Sequence, residues 1–221
     1  ERLLYRGFRS RKTEDLLAEI RYHRQKNKIR DFIFFDSLIN ADLKKLDEFC
    51  DKIINEFGRI NWEAQIAVRS DMPQELFAKI KLSGCYNLFV GLESGSDRTL
   101  RRMNKGFTSR NAADFFKKLN KSGLFFGVSI ITGYPGESQA DFQDSLNFVI
   151  RNRSLIPKIE QVNPFVYYDG TSTGVSDDYR ISQESLARMD FFIQAIKSQG
   201  FKYTNAFIGN LVEKRISYDR I

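Results

Sequence analysis

The sequence predicts an α/β fold: a parallel sheet with helices outside it. Three observations carry this. Short apolar runs recur near residues 33, 65, 89, 128 and 163. Between them, apolar residues return at close to the helical period. The run Leu88 to Leu92 is apolar throughout, as in strands buried on both faces. Strands alternating with helices are the pattern of βα units, and strand spacings of roughly 25–40 residues suit the units of a barrel. Only five strands are clear, so either the sheet is open or the barrel is incomplete. No linker or internal repeat divides the chain, and residues 1–221 are expected to form one domain, with 175–221 as a C-terminal helical extension.

The elements follow in order. Thr13 is expected to cap a first helix, with Glu14 and Asp15 in its first turn and Leu16, Leu17 and Ile20 inward. Residues 31–35 read as a buried strand ending at Asp36. Asn40 and Asp42 open a helix carrying Leu43, Leu46, Phe49, Cys50, Ile53, Ile54 and Phe57, which Gly58 ends. Trp62 to Val68 is a strand followed by Arg69. Asp71 with Gln74 resembles a capping box before a helix through Leu76, Phe77 and Ile80. The strand over about 86–92 runs into Glu93 and Ser94, and Ser96 caps a short helix. Thr108 opens another, with Ala112, Phe115, Phe116 and Leu119 inward. Leu124 to Thr132 is a strand leading to Gly133-Tyr-Pro-Gly-Glu137, where Ser138 with Asp141 signals the next helix. Ile159 to Tyr168 is a further strand, and Ser182 starts the last long helix.

Composition narrows the function classes. Apolar content of 42% and charged content of 29% describe a globular chain long enough for a sizeable core. No apolar run approaches the ~20 residues of a membrane span, and no signal peptide is recognisable, so a cytoplasmic location away from membranes is expected. The net charge of +7 is spread out, with short clusters at Arg6, Arg9, Arg11 and Lys12 and at Arg101, Arg102 and Lys105. Two cysteines, Cys50 and Cys85, stand far apart in no paired motif, which argues against a disulfide framework or zinc site. Both read as packing residues. His23, the only histidine, lies in a charged helical stretch, which argues against histidine-based catalysis.

In a parallel sheet the residues after each strand share one rim, where α/β proteins bind ligands. Here that set is Asp36; Arg69; Glu93 and Ser94; Thr132, Gly133 and Glu137; Tyr168 and Asp169. Its mixed charge and glycines suit a zwitterionic or hydroxyl-rich small molecule. No Walker or dinucleotide glycine motif is present. The plainer reading of Glu93 is a helix cap or a scaffold partner for an arginine.

In these motifs the sequence resembles the radical S-adenosylmethionine (radical SAM) superfamily. The matching pieces are Tyr5 to Arg11, Ala18-Glu-Ile20, Phe34-Phe-Asp36, Gln65 to Arg69, Gly91-Leu-Glu-Ser-Gly-Ser96, Asn104-Lys-Gly106 and Gly133-Tyr-Pro-Gly-Glu137. Together they span about residues 5–170. The branch most resembled often carries a cobalamin-binding domain upstream, and methylthiotransferases are related to it.

The resemblance implies a partial (β/α)6 TIM-like barrel that binds SAM and a 4Fe-4S cluster. The reduced cluster cleaves SAM, and the resulting radical abstracts hydrogen from a substrate. It implies cofactor contacts at Asp36, near the SAM amino group; at Glu93 and Ser94, near its ribose and carboxylate; and at Arg69, a carboxylate partner. Ile131 and Gly133 would line the adenine, with Glu137 buttressing the turn and backbone near Val166 on the other side. It assigns no catalytic residue and no metal ligand in this chain. It also implies an electron donor such as flavodoxin or ferredoxin. The substrate is expected to be a small molecule in preference to a tRNA.

The family's Cys-x3-Cys-x2-Cys motif is absent from the chain. By the placement of Tyr5-Arg-Gly7 it would lie upstream of Glu1. The chain is therefore expected to be a truncated radical SAM domain, lacking its first strand and cluster loop and inactive by itself. The alternative expectation is a degenerate barrel that binds RNA or a partner through its basic surface.

Overall fold

The computed structural model describes residues 11–35, 38–167 and 181–204. The sheet order follows the chain, β1-β2-β3-β4-β5-β6, and the pairings β1–β2, β2–β3, β4–β5 and β5–β6 are all parallel. The strands are β1 (Asp31–Phe34), β2 (Asn61–Ile66), β3 (Cys85–Glu93), β4 (Phe126–Thr132), β5 (Lys158–Pro164) and β6 (Lys202–Tyr203). The helices are α1 (Thr13–Lys26), α2 (Leu43–Phe57), α3 (Gln74–Leu82), α4 (Asp97–Arg102), α5 (Ser109–Lys121), α6 (Gln139–Arg151) and α7 (Gln183–Ser198). The fold class is thus the parallel α/β expected. The sixth strand, two residues long, lies beyond α7 and is too short to show a periodicity of its own.

Among the described residues the chain divides into two compact units: those within 11–91 with 110–126, and 92–109 with 127–167 and 181–204. In the first unit, side chains of β2 alternate: Trp62, Ala64 and Ile66 are buried, while Asn61 and Gln65 are exposed. Trp62 packs edge-on against Phe34 and Phe49, with ring centroids 5.8 and 5.9 Å away. Its indole N–H donates to the Ser83 hydroxyl at 3.1 Å. Phe77 of α3 meets Phe115 of α5 edge-on. Gly84 is required between α3 and β3: its φ is +101°, and a Cβ would stand 1.9 Å from the Ile60 carbonyl oxygen.

Local expectations fail here in three places. Residues 31–35 are not a buried strand: only Phe34 is buried, while Ile33 is 53% and Phe35 85% exposed. Lys12, not Thr13, occupies the N-cap of α1, and no side chain caps it. Asp71 does not cap α3, whose N-cap is Pro73; its carboxylate is held by Arg69 instead. Asp42 does cap α2, accepting from the amides of Lys44 and Lys45.

In the second unit the helix starts are as expected. Ser96 caps α4 by accepting from the Thr99 amide. Ser138 and Asp141 form a reciprocal capping box on α6. Ser182 caps α7. The face of β4 and β5 carrying Val128, Ile130, Ile159 and Val162 is fully buried. Thr132 lies on the same face of β4 as Ile130, and its hydroxyl donates to the Ser185 carbonyl of α7 at 3.3 Å. Strand alternation puts Ser129, Ile131, Gln161 and Asn163 on the opposite face.

Candidate functional site

The site is built where β3 ends. Glu93 is the last residue of that strand, and its φ is +66°, in the left-handed region. A residue with a Cβ takes this conformation at a cost of about 1 kcal/mol or more, and such strain collects at functional sites. The turn aims the carboxylate at two groups. Glu93 Oε1 receives the Lys105 ammonium at 3.2 Å, and Oε2 receives the Ser129 hydroxyl of β4 at 3.1 Å. The Glu93 side chain is 15% exposed and that of Lys105 30%, so the pair is sheltered yet reachable. Lys105 is delivered by the turn after α4, where Asn104 (φ +54°) and Gly106 (φ +71°) reverse the chain. Carboxylate, ammonium and hydroxyl within one small region can bind a polar ligand of mixed charge.

Ser94 is adjacent in sequence but turned into the fold. It is fully buried, accepts from the Ser96 amide at 3.1 Å, and lies 2.7 Å from the Ser145 hydroxyl. The Ser145 proton goes to the Asp141 carbonyl at 3.0 Å, so Ser94 is the donor of that pair. Its hydroxyl is committed to holding the turn. Beside it, a Cβ on Gly95 would stand 2.4 Å from the Phe148 Cβ, so α6 lies directly on this backbone.

Asp141 locks two helix starts together. Its carboxylate accepts from the Ser138 amide and hydroxyl, the Ser96 hydroxyl and the Arg98 guanidinium. Burial by itself pushes this carboxyl up; the Ser138 hydroxyl and amide, the Ser96 hydroxyl and the Arg98 charge outweigh it, and its pKa falls to about 2.

The turn after β4 is braced in the same way. The Gly133 amide donates to Glu137 Oε2 at 2.8 Å, and Arg188 of α7 reaches the same oxygen at 3.1 Å. The Glu137 side chain is only 1% exposed. Burial therefore raises its pKa, with the Gly133 amide and Arg188 opposing the rise. Gly133 has φ +71°, and a Cβ there would stand 2.0 Å from the Ser185 hydroxyl. Glu137 thus buttresses the turn as expected, and Arg188, from 51 residues further on, is the partner the sequence did not reveal.

The other expected positions divide as follows. Ile131 is partly exposed, on the same face of β4 as Ser129. Val166, just past β5, is also partly exposed. Asp36, Tyr168 and Asp169 lie outside the described residues. Arg69 belongs to the first unit, while Glu93, Ser94, Ile131, Gly133 and Val166 belong to the second. The Arg69 guanidinium makes a bidentate pair with Asp71, at 2.9 and 2.6 Å, and donates to the Asn40 and Ala41 carbonyls. The Asp71 bond raises its pKa further. Lys105 and Ser129 went unassigned in the sequence because neither adjoins Glu93. The turn Asn104-Lys-Gly106 was the available signal.

Residues 3–149 match the model of the radical SAM superfamily. The chain belongs to that superfamily. Among curated relatives, a tRNA-2-methylthio-N(6)-dimethylallyladenosine synthase of Thermoanaerobacter sp. (strain X514) is 27% identical, over 66% of this chain and 33% of the relative. A bacteriochlorophyllide d C-12(1)-methyltransferase of Chlorobaculum tepidum is 28% identical, over 72% of this chain and 35% of the relative. The chain spans about a third of the length of the curated relatives it matches. Among solved structures, the radical SAM methyltransferase TsrM of Kitasatospora setae, with cobalamin and a 4Fe-4S cluster bound, aligns over 75% of this chain and 33% of its own, with a TM-score of 0.65 and 15% identity. That likeness carries the fold, a partial TIM-like barrel of parallel strands. The superfamily is one of enzymes, and the relatives named are a methylthio-group synthase and methyltransferases.

The two groups the radical SAM family implies fit this chain unequally. Cys50 and Cys85 are buried, at 0% and 2% exposure. Burial pushes the Cys50 thiol up to about 12 and moves Cys85 in the same direction. Both therefore stay protonated, unlike cluster thiolates. Among the described residues no group of three or more His, Cys, Asp or Glu could hold a metal ion. These residues do not fit the cluster. The donor set around Glu93 does fit SAM: a carboxylate for hydroxyls or an ammonium, a lysine for a carboxylate, and apolar Ile131 on the neighbouring strand. Among the described residues no helix is long and apolar enough to cross a membrane.

Proposed function

We propose that this chain is the SAM-binding core of a radical SAM enzyme that transfers a methyl or methylthio group. Residues 1–221 act as one domain in this reading, and 175–221 extend it. The observation that carries the reading is the left-handed Glu93, held between Lys105 and Ser129 at a strand's carboxyl end. When bound, the cluster and SAM supply one-electron cleavage of a sulfonium, which starts radical chemistry on the substrate.

The chain's own residues bind and orient. The Glu93 carboxylate accepts from the ribose hydroxyls, and Lys105 offers its ammonium to the methionine carboxylate. Ile131 and the backbone at Val166 flank the adenine. Gly133, Glu137 and Arg188 keep that wall in register. Ser94 acts through the turn it holds. In this reading the chain's own residues hold SAM and contribute no cluster ligand. A separate upstream domain holds cobalamin, and flavodoxin or ferredoxin delivers the electron. The substrate is a small molecule in preference to a tRNA, and the protein works in the cytoplasm.

The test uses the full-length protein, reconstituted anaerobically with iron and sulfide and given dithionite and SAM. Formation of 5′-deoxyadenosine that falls at least tenfold in Glu93→Ala supports the reading. No SAM cleavage by folded, cluster-loaded protein overturns it, and the binding-module alternative then leads.

A further inference from the structure

Asn163, near the end of β5, is a buried polar residue that the fold leaves incompletely bonded. It is 7% exposed, and its side-chain oxygen has no hydrogen-bond partner among the described residues. A buried, unmatched amide oxygen is unfavourable, so it marks a place that a ligand or an ordered water completes. Asn163 pairs in register with Ile131, and Gln161 with Ser129. Strand alternation therefore places Asn163 on the face that carries Ile131 and the Ser129–Glu93 contact, away from the face covered by α7. An apolar side chain and an unmatched carboxamide stand side by side there, within the wall that Glu93 closes.

We propose that the Asn163 carboxamide reads the Hoogsteen edge of an adenine ring lying against Ile131. This rests on the reading of the site as one for SAM. A carboxamide is complementary to adenine: its oxygen accepts from the exocyclic amino group while its nitrogen donates to ring N7. Hypoxanthine carries a carbonyl oxygen where adenine has the amino group, so the Asn163 oxygen would face another acceptor. The residue thereby sets base specificity and holds the nucleoside against the strand; it is a binding residue rather than a catalytic one.

The experiment is calorimetric binding to the full-length protein of S-adenosylhomocysteine and S-inosylhomocysteine, which differ at that one ring position. Wild type should bind the adenosyl compound about tenfold or more tighter, the discrimination expected of one matched hydrogen bond against an opposed pair of acceptors. Asn163→Leu, which keeps the branched shape and removes both polar atoms, should bring the two affinities together without lowering Tm. A preference that persists in Asn163→Leu overturns the inference and leaves the SAM reading intact. Equal binding of both compounds by wild type does the same, and needs no variant. If neither compound nor SAM itself binds wild type, the SAM reading falls and this inference with it.

Discussion

Replacing Asp141 by Asn should destabilise the protein in a pH-dependent way whose size follows from the structure. The Asp141 side chain is 6% exposed, and Ser138, Ser96 and Arg98 together give it four donors. They hold its pKa at about 2, below the ordinary 3.8. A difference of nearly two units corresponds to about 2 kcal/mol. Because the folded pKa is lowered, this stability is fully present above about pH 4 and is lost as pH falls through 4 toward 2. Arg98 is half-exposed, so its share is screened, and Arg98→Ala should cost less than about 1 kcal/mol. The assay is urea unfolding of wild type and Asp141→Asn at pH 7, 5, 4 and 3. The gap should hold near 2 kcal/mol from pH 7 to 5 and narrow below pH 4. A gap that is absent at pH 7, or unchanged at pH 3, would refute the assignment of this carboxylate as the charged link between α4 and α6.

Two further outcomes follow from packing. Gly95→Ala should lower stability by about 1–3 kcal/mol, because the new methyl enters the Phe148 side chain and the Ser145 backbone at 2.4 and 3.0 Å; an unchanged Tm would show that α6 does not press on this turn. Converting both Cys50 and Cys85 to Ala should leave iron and sulfide incorporation by the reconstituted full-length protein unchanged, since both thiols are buried and protonated; loss of iron would show that one of them is a ligand.

Local signals proved legible where donor and acceptor lie within one turn. Asp42, Ser96, Ser138 with Asp141, and Ser182 all cap helices from the positions their spacing indicates. Cys50 falls in a helical apolar register and is buried. Where a stronger local partner or the strand's alternation competes, the spacing misleads. Asp71 has the spacing of a capping box, yet a bidentate guanidinium outbids the helix amides for its oxygens. Phe35 extends an apolar run, yet alternation turns it outward.

The sequence by itself determined the alternation of elements, the superfamily and the position of Glu93, because an apolar run broken by a carboxylate is a short-range pattern. Tertiary structure alone decided which partners the polar groups at the strand ends find. Glu93 finds Lys105 twelve residues on and Ser129 on the next strand; Ser94 finds Ser145, and Glu137 finds Arg188, each across about 50 residues of chain. The physical reason is that a hydrogen bond forms between groups brought within about 3 Å, and strand pairing and helix packing bring them there.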